Sequence, residues 1–75
     1  MKEMIEYIAK SLVDDPSQVE VKELGGSQQT ILELKVAPED MGRVIGRSGR
    51  VANAMRTLLR VAASKQGKRV TLEIV

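Results

Sequence analysis

The feature that most constrains this chain is a pair of glycines, Gly46 and Gly49, that separates two stretches with helical character. The first stretch opens with Pro38, and proline suits the first position of a helix. The second stretch runs over residues 50–66 and repeats apolar side chains at helical spacing. The sequence therefore predicts two consecutive helices joined by a four-residue turn, and this turn carries the cation of Arg47.

Hydrophobic periodicity predicts four further elements, so that the order along the chain is helix, strand, strand, helix, helix, strand. The first two strands are close enough in sequence to pair as an antiparallel hairpin. The connection to the last strand is long enough for a right-handed parallel crossover. We therefore expect an α/β fold of the α+β type, with a three-stranded mixed sheet and three helices on one face. The further elements are a helix over 2–13, strands over 18–24, 30–36 and 70–74, and a turn at Gly25-Gly26-Ser27.

The two faces of the predicted sheet and of the long helix differ in polarity. Charges at Glu33, Lys35 and Glu73 alternate with apolar residues, which indicates a strand face that is solvated or part of an interface. The long helix is expected to bury one apolar stripe and to expose the opposite side. The stripe is Val51, Met55, Leu58 and Ala62 with Leu59 flanking, and the opposite side is Asn53, Arg56, Arg60 and Ser64.

The formal net charge of +2 conceals a strong separation of charge along the chain. Residues 1–40 contain four Lys or Arg and nine Asp or Glu, which gives a net charge of −5. Residues 41–75 contain eight Lys or Arg and one Asp or Glu, which gives +7. A basic half beside an acidic half is typical of proteins that bind polyanions on one face. A solvated basic helix without a partner is the alternative.

Several classes of site are not expected. The chain has no cysteine and no histidine, which removes disulfides, the usual zinc ligands and the usual general base. No serine has an evident base partner, so we expect no catalytic residue, no enzyme activity, no metal site and no cofactor. Neither a signal peptide nor an apolar run of about 18 residues is visible, and we expect a cytoplasmic protein.

The residues in and around the turn suit contact with a phosphate backbone. Gly46 and Gly49 have no side chain, so a ligand can approach the main chain closely. Arg47 can form a forked, charge-assisted pair of hydrogen bonds with a phosphate, and Ser48 can donate one more. The predicted binding site is completed by two flanking cations, Arg43 and Arg50, and by an apolar surface for a base at Val44 and Ile45.

A Gly-x-x-Gly pattern alone is weak evidence, because it arises readily by chance in a chain with 6 glycines among 75 residues. Its context is more specific: the pattern joins two predicted helices that lie between predicted strands, and it resembles the loop of a KH domain. The stretch over residues 36–50, VAPEDMGRVIGRSGR, and the stretch over 62–70, AASKQGKRV, together resemble the KhpA family of small bacterial RNA-binding proteins.

This resemblance covers essentially the whole chain and implies a single KH domain of type II over residues 1–75. It implies that Gly46, Arg47, Ser48 and Gly49 hold single-stranded RNA, with roughly four nucleotides in a groove. It also implies a homodimer or a complex with KhpB, a larger RNA-binding protein. For the family, RNA chaperone activity, post-transcriptional regulation and links to cell elongation, cell shape and cell-wall homeostasis have been proposed.

Two alternatives are kept. A short helix, a glycine turn and a longer helix superficially match a DNA-binding helix-turn-helix. The chain could also be a dimerisation subunit whose loop is incidental. Tyr7 is the single aromatic residue of the chain, and this scarcity argues against RNA-binding folds that stack bases on aromatic side chains. Tyr7 itself is expected to be half-buried on the first helix. The cations Arg56, Arg60, Lys65, Lys68 and Arg69 are consistent either with a bound strand or with solvent.

Overall fold

The computed structural model describes residues 1–26 and 28–75, so that Ser27 of the predicted turn lies outside the described residues. Its elements follow the predicted order, and the α+β fold is confirmed. The first strand starts two residues later than expected, because Pro16 begins a 3₁₀ turn. Within the described residues, none of the helices has the length and apolar character needed to cross a membrane. The helices are α1 (Lys2–Leu12), α2 (Met41–Ile45) and α3 (Arg50–Lys65), the strands are β1 (Glu20–Gly25), β2 (Gln29–Lys35) and β3 (Arg69–Ile74), and 3₁₀ turns span Pro16–Gln18, Pro38–Asp40 and Arg47–Gly49.

The three strands form a mixed sheet in the order β1-β2-β3. β1 and β2 pair antiparallel, with Val21 opposite Leu34, and β2 and β3 pair parallel, with Leu32 opposite Leu72. The parallel pair is connected through α2, the loop and α3, which is the predicted crossover. β3 is therefore an edge strand, and one side of its main chain is not paired with the sheet.

The core lies between the helices and one face of the sheet. Ile5, Leu32, Leu34 and Leu59 are completely or almost completely buried, and each contributes about 1.5–3 kcal/mol relative to an exposed side chain. The charged side chains of the strands alternate with them and point to the opposite face. Tyr7 does not have the half-buried position expected from the sequence: it is exposed, because it lies on the side of α1 opposite to Ile5.

The core stripe of α3 also differs from the prediction. Leu58 and Val61 are 49% and 53% exposed, so they form a second apolar flank outside the core. Small side chains at the interface let a helix approach its neighbour closely, and the two alanines in the observed stripe have this effect. The sequence gives no means of choosing between the two apolar flanks. The buried residues of α3 are Ala52, Met55, Leu59 and Ala63.

A buried carboxylate connects α1 to the start of α2. Asp40 is 2% exposed and accepts hydrogen bonds from the backbone N–H groups of Asp14 and Asp15, both at 3.1 Å. The Arg43 guanidinium lies 3.7 Å from Asp40 Oδ1 and 3.1 Å from Asp14 Oδ2. Asp40 thus connects the end of α1 to the start of α2. From the sequence alone, its position suggests only a favourable charge at the start of a helix.

We expect Asp40→Ala to lower the free energy of unfolding by about 2–4 kcal/mol, because it leaves two buried backbone donors without their acceptor and removes one of the two carboxylates that hold Arg43. Urea denaturation followed by circular dichroism measures this change. Glu39→Ala is the matched control, because Glu39 is exposed and should change stability by less than about 0.5 kcal/mol. Equal effects of the two substitutions would show that the buried carboxylate contributes no particular stability.

Candidate nucleic-acid interface

The loop between α2 and α3 spans the four residues 46–49. The Gly46 N–H donates to the Gly42 carbonyl at 2.9 Å, and the Gly49 N–H donates to the Gly46 carbonyl at 3.1 Å. Positive φ values occur at Gly46 (77°), Ser48 (56°) and Gly49 (75°). For Ser48 this conformation costs about 1–2 kcal/mol. Strain of this kind concentrates at binding sites, where the surrounding structure holds the backbone in place.

The two glycines of the loop have different roles. A Cβ atom at Gly46 would lie 2.6 Å from Val51 Cγ2 and 2.8 Å from the Val51 N atom, so Gly46 is required for packing against the start of α3. A Cβ atom at Gly49 would have Asn53 Nδ2 as its nearest neighbour, at 3.7 Å. The surface at Gly49 is therefore open to a ligand, whereas Gly46 supports the turn from inside.

The tip of the loop presents free donors beside exposed cations. Among the described residues, the backbone N–H groups of Arg47 and Ser48 form no backbone hydrogen bond. The side chains of Arg47, Ser48 and Arg50 are exposed. The first turn of α3 adds the positive end of a helix dipole at the same point. These donors and charges converge on the position where an anion such as a phosphate can bind.

Two predicted contact residues have other positions. Val44 is 0% exposed, so its side chain packs in the core and supports the loop from beneath instead of offering a surface to a base. Arg43 is held by Asp14 and Asp40, which directs its charge away from the tip. Ile45 is the apolar residue that does reach the surface beside the loop. The structure thus groups Ile45 and Arg50 with the loop and separates Arg43 and Val44 from it.

The cations further along α3 line the unpaired side of β3. Arg56 Nε donates to the Leu72 carbonyl at 3.4 Å, and an Arg56 Nη donates to Asn53 Oδ1 at 3.2 Å. Arg60 lies one turn further, in a cleft that also contains Lys68 and Arg69. The sequence alone does not decide whether these cations contact a bound strand or solvent, because their position relative to β3 depends on the tertiary fold.

Sequence reasoning also missed the inward position of Asp40, for which the only local signal is Arg43 three residues later. Gln28 and Gln29 line the cleft that contains Arg60, Lys68 and Arg69. Nothing in the sequence marked them as cleft residues, since polar residues before a strand are common. The part of the chain that the structure describes brings together no group of three or more His, Cys, Asp or Glu side chains suited to a metal ion.

We expect Gly46→Ala to destabilise the protein by about 3 kcal/mol or more, because the backbone at φ 77° and ψ 170° is almost exclusive to glycine and the added Cβ meets Val51. Gly49→Ala should cost only about 1–2 kcal/mol, the price of a left-handed conformation in open space. Thermal or urea unfolding of both variants measures the difference. Equal losses would contradict the distinct roles of the two glycines.

Comparison with known proteins gives a consistent result over the whole chain. The family model described as KhpA/KhpB, KH domain, matches residues 2–74. A protein named RNA-binding protein KhpA from Clostridium acetobutylicum is 60% identical over 75 residues, which cover 100% of both chains. Proteins of the same name from Caldanaerobacter subterraneus subsp. tengcongensis and from Clostridium perfringens are 59% and 57% identical, again over 100% of each chain.

No solved structure matches the chain. The family model nevertheless covers every helix and strand described above, together with the loop over residues 46–49. The chain therefore belongs to the KhpA/KhpB KH-domain family.

Proposed function

We propose that this protein binds single-stranded RNA at the loop over residues 46–49, with Ile45 and Arg50 completing the contact surface. The observation that carries this proposal is the pair of backbone donors at Arg47 and Ser48, which form no backbone hydrogen bond among the described residues and lie at an exposed turn beside the cations of Arg47 and Arg50. Its relatives are named RNA-binding proteins. In KH domains a Gly-x-x-Gly loop clamps the backbone of about four nucleotides, which suits a site of this size.

The charge distribution supports a polyanionic ligand on this face. Among the described residues, Arg43 is the only cation of residues 41–75 that takes part in an ion pair. Arg56 donates to the Leu72 carbonyl and to Asn53, whereas the other cations of this half are exposed and available to a ligand. Several of them follow α3 away from the loop. We propose binding without catalysis by one domain over residues 1–75, in the cytoplasm and without a cofactor.

The helix-turn-helix alternative is weaker on two grounds. α2 spans only five residues, and the helix pair is enclosed between β2 and β3 of one sheet. A recognition helix must enter the major groove of duplex DNA, yet the buried stripe and the contact of Arg56 with β3 hold α3 against the sheet. Preference for duplex DNA over single-stranded RNA would favour the alternative.

The cellular role that fits this binding is that of an RNA chaperone or a post-transcriptional regulator. The resemblance to the KhpA family further suggests a link to cell elongation and cell-wall homeostasis, which is part of the proposal. Comparing the RNAs that copurify with the wild-type protein and with a loop variant in cells would test this role. Identical RNA sets would count against it.

A homodimer, or a complex with a KhpB protein, is also part of the proposal. Leu58 and Val61 are exposed and lie one turn apart on α3, on the flank that faces away from β3. A domain of this size buries only about 60% of its unfolded surface, so covering this flank with a second chain would add apolar burial. Two weakly binding loops in one assembly would also gain affinity through avidity.

We expect the double variant Arg47→Asp/Ser48→Asp to lose binding of a short single-stranded RNA, because two negative charges replace the donors at the tip. Fluorescence anisotropy over a salt series measures this loss. For the wild type, the log–log slope should be roughly −1.5 to −3, as expected for about two to four neutralised phosphates of a single strand.

The matched control is Lys10→Asp/Ser11→Asp, which makes the same charge change at two exposed residues of α1. It should bind RNA like the wild type, and circular dichroism should show that both variants are folded. RNA binding by the loop variant at wild-type strength would refute the proposed site.

We expect Leu58→Glu to shift the protein towards the monomer, because a buried carboxylate without a partner is costly in an interface. Sedimentation velocity over a concentration series measures the change, and Ser11→Glu on α1 is the control. A monomer at all concentrations in the wild type would contradict the homodimer. RNA binding retained by the monomeric variant would argue against a pure dimerisation subunit.

A further inference from the structure

The free edge of β1, which faces away from β2, carries main-chain groups without a hydrogen-bond partner among the described residues. Leu34 directs its main chain towards β3, because its carbonyl accepts from the Val75 N–H. Val21 lies opposite Leu34 in the antiparallel pair, so it forms no main-chain hydrogen bond there and directs its N–H and C=O to the free edge. Glu23 lies opposite Leu32 and has the same orientation, because the pattern repeats every two residues.

This edge is accessible to another strand. α1 contacts β1, and the side chain of Val21 packs in the core, whereas Lys22, Glu23 and Leu24 are exposed. An exposed edge with free N–H and C=O groups is a template for pairing with another chain. β1 and β3 lie at opposite edges of the sheet, and α3 contacts β3. A strand added to β1 therefore leaves α3 and its cations uncovered.

The charges of β1 select one register for pairing with a second copy of itself. Only odd-numbered residues can form the hydrogen-bonded pairs, so a two-fold axis passes through one residue of β1, which lies opposite its own copy. An axis at Glu20, Lys22 or Glu23 places two like charges directly opposite each other, which is destabilising. An axis at Leu24 or later extends the pairing beyond the end of β1. An axis at Val21 avoids both problems.

An axis at Val21 also satisfies the free main-chain donors. The two copies of Val21 exchange N–H···O=C hydrogen bonds in both directions, and the Glu23 N–H lies opposite Val19 of the second copy. The Val19 N–H donates to the Pro16 carbonyl at 3.2 Å, so the Val19 carbonyl remains as the acceptor for Glu23. Pairing in this register therefore supplies a partner to the N–H groups of both Val21 and Glu23.

The same register pairs opposite charges on the face of the sheet that points away from the helices. Glu20 lies opposite Lys22 of the second copy at a non-hydrogen-bonded position, where the Cα atoms of paired residues are about 4.5 Å apart. Within each copy, Glu20 already lies opposite Lys35, and Lys22 lies opposite Glu33. Across the joined sheet the charges thus alternate in sign in the order Lys35, Glu20, Lys22 and Glu33.

We propose that β1 pairs antiparallel with β1 of a second copy about a two-fold axis at Val21, so that two three-stranded sheets join into one sheet of six strands. This inference does not depend on the proposed RNA site, and the surface differs from the flank of Leu58 and Val61 on α3. A copy that uses both surfaces has two different two-fold contacts, so that more than two copies can assemble. A strand of another protein could satisfy the same main-chain groups, but the alternation of charge favours a second β1.

A mixture of two single-cysteine proteins tests the register, because the chain has no cysteine of its own. One protein carries Glu20→Cys and the other Lys22→Cys, and both carry Leu58→Glu, which places a charge on the α3 flank. An axis at Val21 places the two thiols directly opposite each other and leaves the second pair of opposite charges intact. In each protein alone the thiols are diagonal neighbours, whose Cα atoms are about 7–8 Å apart and too distant for a disulfide.

We expect the mixture, oxidised with glutathione disulfide, to form at least about tenfold more covalent dimer than either protein alone. Mass spectrometry identifies the heterodimer, and circular dichroism checks that each variant is folded. A mixture of Lys22→Cys and Leu24→Cys proteins has the same spacing on the same strand but should not form a disulfide. No heterodimer, or equal dimer from all mixtures and single proteins, would overturn the inference. A disulfide formed in cells only with a different protein would overturn it too and would indicate a foreign strand.

Blocking the edge provides a second measurement. Glu23→Pro removes an N–H that faces the free edge, so no hydrogen bond to β2 is lost, while the proline ring excludes a neighbouring strand. Glu23→Ala is the matched control, because it removes the same charge and keeps the N–H. Added to both proteins of the mixture, Glu23→Pro should reduce the heterodimer about tenfold relative to Glu23→Ala, and equal yields would contradict strand pairing. Should a cysteine variant fail to fold, sedimentation velocity of the Glu23→Pro and Glu23→Ala proteins with Leu58→Glu provides the same comparison.

Discussion

α2 connects to α3 through a short loop in which Gly46, Ser48 and Gly49 adopt positive φ angles, and the rest of the fold depends on this backbone conformation. The constraint at Gly46 is the strictest, because Val51 occupies the space that a Cβ atom would need. The turn lets α3 start immediately, pack its alanine-lined stripe on the sheet and return the chain to β3. In the part of the chain that the structure describes, the backbone donors of Arg47 and Ser48 at the loop tip have no backbone partner. A structural requirement of the fold thus creates the surface to which an anion can bind.

The cations of the basic half divide into two groups according to their partners. Arg43 belongs to the framework, since Asp14 and Asp40 hold it and connect α1 to α2. Arg47 and Arg50 lie exposed at the loop, and the cations further along the chain follow the open side of β3. The separation of charge along the sequence therefore becomes a separation in space. It concentrates positive charge where the main chain also offers hydrogen bonds.

Much of the fold could be predicted, because its elements depend on local patterns. The alternation in β1, β2 and β3 and the helical spacing in α1 and α3 identify the elements, and the long connection implies the parallel pair. The face that α3 buries could not be predicted, since Leu58 and Leu59 are adjacent and equally apolar. The same limit applies to Val44 and Asp40, whose burial depends on packing between helices distant in sequence. The loop was predictable because its two glycines lie between two helical stretches that predicted strands flank. The different roles of Gly46 and Gly49 were not, since they depend on the position of Val51 in the folded chain.

The most direct measurement is an NMR titration of the ¹⁵N-labelled protein with a short single-stranded RNA. We expect the largest shifts at the backbone amides of Arg47 and Ser48, because these free N–H groups would donate to a phosphate, followed by Gly49 and Arg50. Amides on the charged face of the sheet and on the exposed side of α1 should not move. Shifts confined to those surfaces, with the loop amides unchanged, would contradict the central claim that the strained loop is the place where RNA binds.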